Sequence, residues 1–219
     1  MKTLLRIDAS ARTHGSCSRQ LADRVQARWT EANPDARVVV RDLARDPVPH
    51  IDGATIAAFY GGPLPADALP PAGLALSDAL IDELRAADHL LLSSPMYNLT
   101  LPSPLKAYID HVVRCGRTFV VDEGRFVGLL GDTSATLVTT RGALAAPHLA
   151  GDFQIPYLRA ILAFIGIDRV ELIAADGMAQ ADEVRAQRLA RAQAQIDHLF
   201  ALPLPPVRER ERRVGGSTG

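Results

Sequence analysis

Five short apolar runs, each separated from the next by a stretch with helical spacing, constrain this chain more than any other feature. Residues 4–7, 38–40, 90–92, 136–139 and 170–174 have the length and the aliphatic, partly β-branched character of buried strands. Between the first two, Leu21, Val25 and Trp29 recur at i, i+4 and i+8, the signature of an amphipathic helix. Further helical patterns fall at 74–87, 103–113, 153–165 and 178–200. The segment 153–165 is apolar nearly all round, so it is expected to be buried on more than one side. Strands alternating with helices predict an α/β fold: a doubly wound, five-stranded parallel sheet with helices on both faces. A small hairpin is expected over 119–121 and 126–130. The Pro- and Gly-rich segment 47–73 interrupts the rhythm and reads as a long loop with a short helix near Ile56.

With 219 residues, 47% of them hydrophobic and 22% charged, the chain has enough apolar material for one core. One domain is expected over 1–202. The remainder, 203–219 (PLPPVRERERRVGGSTG), has the composition of a disordered tail. A net charge of −1 gives no reason to expect nucleic acid or an anionic membrane surface as partner. Arg6 and Asp8 break the early apolar run, and no stretch approaches the ~20 apolar residues of a membrane helix. Cys17 and Cys115 are isolated, without a zinc spacing or a disulfide framework. A cytoplasmic setting is the expectation.

Doubly wound sheets bind ligands beyond the carboxyl ends of their strands, so the loops after the first, third and fourth strands carry the chemistry. The first, 8–18 (DASARTHGSCS), runs from a strand into a helix. Ser10, Ser16, Cys17 and Ser18 present small polar groups where helix N–H groups converge, a setting for phosphate; Ser16 and Ser18 as simple helix caps explain the same residues. Neither GxGxxG nor a P-loop is present. The second loop holds Ser93, Ser94, Pro95, Met96, Tyr97, Asn98 and Leu99. Its mixture of apolar faces and amide groups suits an isoalloxazine ring, and equally an ordinary turn. The third holds Thr139, Thr140, Arg141, Gly142 and Ala143, with Gly142 permitting close backbone approach.

Taken together, these loops resemble the FMN-dependent NADH azoreductase family, itself similar to the NAD(P)H:quinone reductases. The resemblance runs from the first strand to about Phe200. Beyond the three loops it rests on Arg41-Asp42-Leu43 with Pro47 and Pro49, and on Ala75-Leu76-Ser77-Asp78. It continues through Leu105-Lys106 with Tyr108, Thr118-Phe119, Pro156-Tyr157-Leu158 and Phe164-Ile165-Gly166-Ile167. It implies a flavodoxin-like sheet of order 2-1-3-4-5, noncovalent FMN, NADH or NADPH as donor, a quinone or azo compound as acceptor, and a homodimer with its active sites at the interface. By match, Ser10, Ser16, Cys17 and Ser18 hold the phosphate. Pro95, Met96, Tyr97, Asn98 and Leu99 border the ring, with backbone N–H groups near Asn98 polarising it. Thr140, Arg141, Gly142 and Ala143 cover its pyrimidine side. The chain departs from the family at Leu99, where Phe is usual, at Ala143, where a second Gly is frequent, and at Val121, near a usual Tyr. All three are expected near the substrate cavity.

The implied reaction is a ping-pong transfer of two electrons, with no side chain required as acid, base or nucleophile. His14 lies in the phosphate loop and His148 follows the third loop; His50, His89, His111 and His198 show no metal-ligand spacing. Two rivals fit less well. A flavodoxin-type electron carrier tends to be strongly acidic, which this chain is not. A phosphatase on a similar sheet needs Cys-x5-Arg after the first strand, and counting from Cys17 that place holds Asp23.

Overall fold

The computed structural model describes residues 1–61, 71–144 and 152–201. Its centre is a parallel sheet of β1 (Thr3–Asp8), β2 (Arg37–Asp42), β3 (His89–Pro95), β6 (Ser134–Thr140) and β7 (Arg169–Ala175). The strands lie in the order β2-β1-β3-β6-β7, which is the expected 2-1-3-4-5 once the hairpin strands β4 (Phe119–Asp122) and β5 (Arg125–Gly128) are set aside as a separate two-stranded sheet. Five helices cross between strands or flank them: α1 (Cys17–Ala32), α2 (Gly53–Phe59), α3 (Ala72–Arg85), α4 (Ser103–Val112) and α5 (Ile155–Phe164); α6 (Asp182–Ala201) follows the last strand.

Side chains alternate across each strand, and the alternation divides the core in two. Leu5, Ile7, Leu90, Leu92 and Leu137 join Leu80, Ile81 and Leu84 of α3, Leu105 and Ile109 of α4, and Leu158 and Leu162 of α5. Leu4, Leu91, Val138 and Ile173 face the other way, onto Leu21, Val25 and Trp29 of α1 and Ile196 of α6. Both faces of β1, β3 and β6 are therefore covered, which is why these strands read as largely apolar runs rather than as alternating ones.

The hairpin turns through Glu123 and Gly124, both at positive φ (47° and 75°), a two-residue turn whose twist suits antiparallel strands. Phe119 and Phe126 stack around Phe164 of α5, with ring centroids 4.7 and 5.2 Å from it. The hairpin then runs against the turn after α5 at a spacing only glycine permits. A β-carbon on Gly128 would stand 2.1 Å from the Gly166 backbone nitrogen.

Three expectations need correction. The last helix starts at Asp182 rather than 178, because Gly177 takes φ +76° and residues 177–180 form a turn. The third helix begins two residues before the expected 74, at Ala72. The all-round apolar segment is not buried on more than one side within a single chain: in α5 only Leu158 and Leu162 are buried, and Phe153 just before it is 60% exposed. Beyond the stripe facing the sheet, Phe164 packs against the hairpin, and Tyr157 and Ile161 are only partly covered within the chain. The expected tail, 203–219, and the inner part of the long loop, 62–70, lie outside the described residues. Among the described residues no helix is long and apolar enough to cross a membrane.

At the opposite end of the sheet from the loops of interest, His89 is held by Ser134 Oγ (2.8 Å) and Thr136 Oγ1 (3.0 Å) and stacks on Trp29. Burial, with a smaller contribution from the positive charges of Arg169 and Lys2, lowers its pKa to about 4. Between pH 6.5 and 4 the unfolded chain takes up a proton that the folded chain refuses. Stability is therefore full above pH 6.5 and falls as the pH drops towards 4, by about 3 kcal/mol from this residue. Denaturant unfolding across that range is expected to show this slope in the native protein and a flatter one in His89→Gln.

Candidate functional site

All five parallel strands end on one edge, and the chain reverses its direction of travel across the sheet between β1 and β3. A cleft of about 180 Å³ opens there. Ser10, Gly15, Ser16 and Cys17 line it from the loop after β1, and Pro95, Met96 and Tyr97 from the loop after β3. Thr140, Arg141 and Gly142 close it from the end of β6. Arg12, Met178 and Ala179 also line it. Sequence reasoning passed over these three, the last two because the loop after β7 carries no distinctive residue type.

The loop after β1 is built to present donors. Gly15, at φ +66°, turns the chain into α1. Ser16 is the helix cap, its Oγ accepting from Arg19 N (3.5 Å) and lying 3.2 Å from Ser18 Oγ. Ser10 Oγ accepts from Arg12 N at 3.2 Å. The first turn of α1 carries no acidic residue, so nothing of its own opposes an anion at the helix N-terminus. Ser18 is fully buried and braces Ser16 from below instead of lining the cleft. His14 is exposed, 3.0 Å from Thr13 Oγ1, and does not line the cleft. Beneath the loop lies a network with no counterpart in the sequence reading. Arg6 meets Asp8, and Arg19 meets both Asp8 and Asp42. The Arg19 guanidinium holds the Asp42 carboxyl below the usual carboxylate range, and Asp42 raises Arg19 in return.

The opposite wall is a tight, strained turn. Tyr97 and Thr100 exchange two backbone hydrogen bonds (2.9 and 3.1 Å), closing a hairpin turn around Asn98 and Leu99. Both central residues lie at positive φ, 49° and 70°. Asn tolerates this conformation, whereas a Leu there costs roughly 1–2 kcal/mol. Asn98 and Leu99 sit beside the cleft without lining it, Leu99 half exposed. Met96 N donates to Thr140 O (2.7 Å), Arg141 N to Ala175 O (3.0 Å) and Ala179 N to Gly142 O (3.1 Å), so the loops after β3, β6 and β7 are laced together. A β-carbon on Gly142 would come within 3.1 Å of the Ala179 β-carbon. Ala143 is exposed and does not line the cleft. His148 lies outside the described residues.

The buried Gln154 locks the end of β3 from the other side. Its Nε2 donates to Ser94 Oγ (3.0 Å) and to Pro95 O (2.8 Å), tying the entry of α5 to the ring-side loop. Asp152 fixes this entry by accepting from Gln154 N and Ile155 N, both at 3.0 Å, and by pairing with Arg141 at 3.5 Å. Sequence reasoning missed Gln154 because a lone amide ahead of an apolar helix carries no pattern. Gln154→Leu, similar in size, would remove the one donor that Ser94 Oγ, the Ser94 carbonyl and the Pro95 carbonyl share, leaving Pro95 O with the longer 3.2 Å bond from Ser94 Oγ. A loss of about 2 kcal/mol is expected in chemical denaturation.

Against known proteins, the profile of a family described as having the flavodoxin-like fold matches residues 1–199. A protein of Xanthobacter autotrophicus named FMN-dependent NADH:quinone oxidoreductase is 50% identical over 182 residues, covering 78% of this chain and 85% of that protein. FMN-dependent NADH:quinone oxidoreductase 2 of Trichormus variabilis is 42% identical over 208 residues, covering 92% of this chain and 99% of the relative. The crystal structure of an azoreductase from Bacillus anthracis superimposes with a TM-score of 0.81 at 25% identity, covering 91% of this chain and 99% of that one. The chain belongs to the flavodoxin-like fold family and, within it, to the family of the FMN-dependent NADH:quinone oxidoreductases.

Proposed function

We propose that this chain is a reductase that binds FMN noncovalently and passes two electrons from NADH or NADPH to quinones and azo compounds by a ping-pong mechanism. The observation that carries the reading is the cleft itself: a helix N-terminus free of acidic residues on one side, a laced, backbone-rich wall on the other, and the topological switch point between them. The names of the two curated relatives support both the cofactor and the quinone acceptor.

The residues fit FMN. Ser10, Ser16 and Cys17 stand where a phosphate monoester meets hydroxyl and helix N–H donors, with Ser18 fixing Ser16 from beneath. Pro95, Met96 and Tyr97 offer apolar surface to one part of the ring, and the strained turn at Asn98 and Leu99 presents backbone groups beside it. Thr140, Arg141 and Gly142 face the pyrimidine end, with Ala143 at their margin. Bound FMN supplies the two-electron chemistry, which no side chain of the cleft provides. The protein orients the ring, holds the phosphate and keeps one pocket open to donor and acceptor in turn.

A homodimer completes the reading. The outer face of α5 leaves Tyr157, Ile161 and Phe164 incompletely covered, and the neighbouring hairpin exposes Val121, Phe126 and Val127. Phe119, Tyr157 and Ile161 also line an apolar groove of about 560 Å³ with Ile56, Phe59 and Tyr60. A second copy on this surface completes the cover of the apolar face of α5 that one chain leaves partial. The free thiols Cys17 and Cys115 suit a reducing cytoplasm.

The apoprotein is expected to quench FMN fluorescence stoichiometrically and to run as a dimer in light scattering. With NADH and menadione, initial-rate plots are expected to be parallel. Intersecting plots would refute the shared pocket, and failure to bind FMN would refute the reading as a whole.

A further inference from the structure

The loop facing the cleft rests on a floor of buried charge that electron transfer does not use. The side chains of Arg6, Asp8, Arg19 and Asp42 are 8, 4, 13 and 12% exposed. Two cations meet two anions, so the floor is neutral. Asp23, which also meets Arg6 at 2.6 Å, and Arg45, which meets Asp42 at 3.5 Å, are opposite in sign and 66% and 72% exposed, so their charges are dispersed into water. A neutral floor does little to attract a phosphate by charge. Its effect on the loop is geometric.

Arg19 is the joint. Its Nη1 and Nη2 donate to the two carboxylate oxygens of Asp42, both at 2.7 Å, and Nη2 also donates to the Ser10 carbonyl at 2.8 Å. Nη1 reaches Asp8 at 3.4 Å. Asp42 is fixed in turn by Ala44 N, which donates to its Oδ1 at 3.0 Å. One guanidinium thus binds together the end of β1, the start of the loop, the first turn of α1 and the end of β2. The peptide after Ser10 is planar and trans, so holding its carbonyl on Arg19 turns the Ala11 N–H away from the floor. Lysine carries the same charge but cannot grip a carboxylate and a carbonyl as a planar fork.

Building on the FMN reading above, we propose that Arg19, anchored by Asp42, is a positioning residue for the cofactor phosphate. It sets the shape of residues 10–18 through its forked geometry rather than through its charge. FMN and riboflavin differ only by the phosphate, so their affinity ratio isolates the effect. Both flavins would be titrated by fluorescence into apoprotein of the native chain, Arg19→Lys and Asp42→Asn, with thermal unfolding as a check on folding. The native protein is expected to prefer FMN. Each substitution is expected to cut that preference about tenfold, the worth of a hydrogen bond between charged groups. Riboflavin affinity is expected to stay unchanged.

Asp42→Asn decides between geometry and charge. It leaves the floor net positive, so an electrostatic role for Arg19 would tighten FMN binding, whereas the positioning role loosens it. It also carries the test if Arg19→Lys does not fold. Tighter FMN binding by Asp42→Asn, an undiminished preference in folded Arg19→Lys, or equal losses for the two flavins would overturn the proposal. If the native protein itself fails to prefer FMN, the phosphate assignment of the loop falls and the role of Arg19 with it. A preserved native preference with unaltered variants overturns the role of Arg19 alone.

Discussion

A parallel sheet covered on both faces must return its chain through helices, and this constraint organises everything else in the molecule. Each strand ends on the same edge and each helix begins there. The reversal between β1 and β3 parts the loops at one place on that edge, and the cleft forms there. The two cores hold the edge still. Leu5, Ile7 and Leu92 pack towards α3, α4 and α5, while Leu4 and Leu91 pack towards α1 and α6. Loops carried on so fixed a frame need only short-range bonds to become a binding surface, and those bonds are what Arg19, Gln154 and the Met96–Thr140 contact provide.

The fold was legible because its signals are periodic. Mostly apolar runs marked β1, β3 and β6, since strands covered on both faces carry few charged positions, Arg6 and Asp8 of β1 being buried exceptions. Leu21, Val25 and Trp29 marked the face of α1 that the core receives. Gly177 delays the start of the last helix to Asp182, because a single residue at positive φ makes a turn that helical spacing does not reveal. The segment at α5 misled for a different reason. Apolar composition reports that a surface is to be covered, and it does not say whether the cover lies in the same chain.

The site was legible where residue types are distinctive and obscure where geometry does the work. Ser10, Ser16, Pro95, Met96 and Gly142 stand around one cleft as their loop positions suggested. Ser18 belongs to the same loop yet supports it from below, a distinction that sequence spacing does not encode. Arg19 and Gln154 looked like ordinary residues of a helix and a helix entry, and Asp42 counted towards the family resemblance without a role in the site. Their partners lie 23 residues away for the Arg19–Asp42 pair and 59 for Gln154 and Pro95, and nothing local announces them. The departures at Leu99, Val121 and Ala143 all lie on exposed surface, the first beside the cleft and the second on the hairpin.

The central claim is that the loop after β1 holds the phosphate of the flavin. Cys17 reports on it directly: it lines the cleft, half-buried, next to Ser16. Cys115 lies outside the cleft, exposed in the single chain at the groove beside α5, and serves as a control at constant dimer content. The decisive measurement is the rate of iodoacetamide labelling of each cysteine, followed by peptide mass spectrometry with and without FMN. The account predicts that FMN slows labelling of Cys17 and leaves Cys115 unchanged. Labelling of Cys17 at the same rate in apoprotein and FMN-loaded protein would place the phosphate somewhere other than this loop.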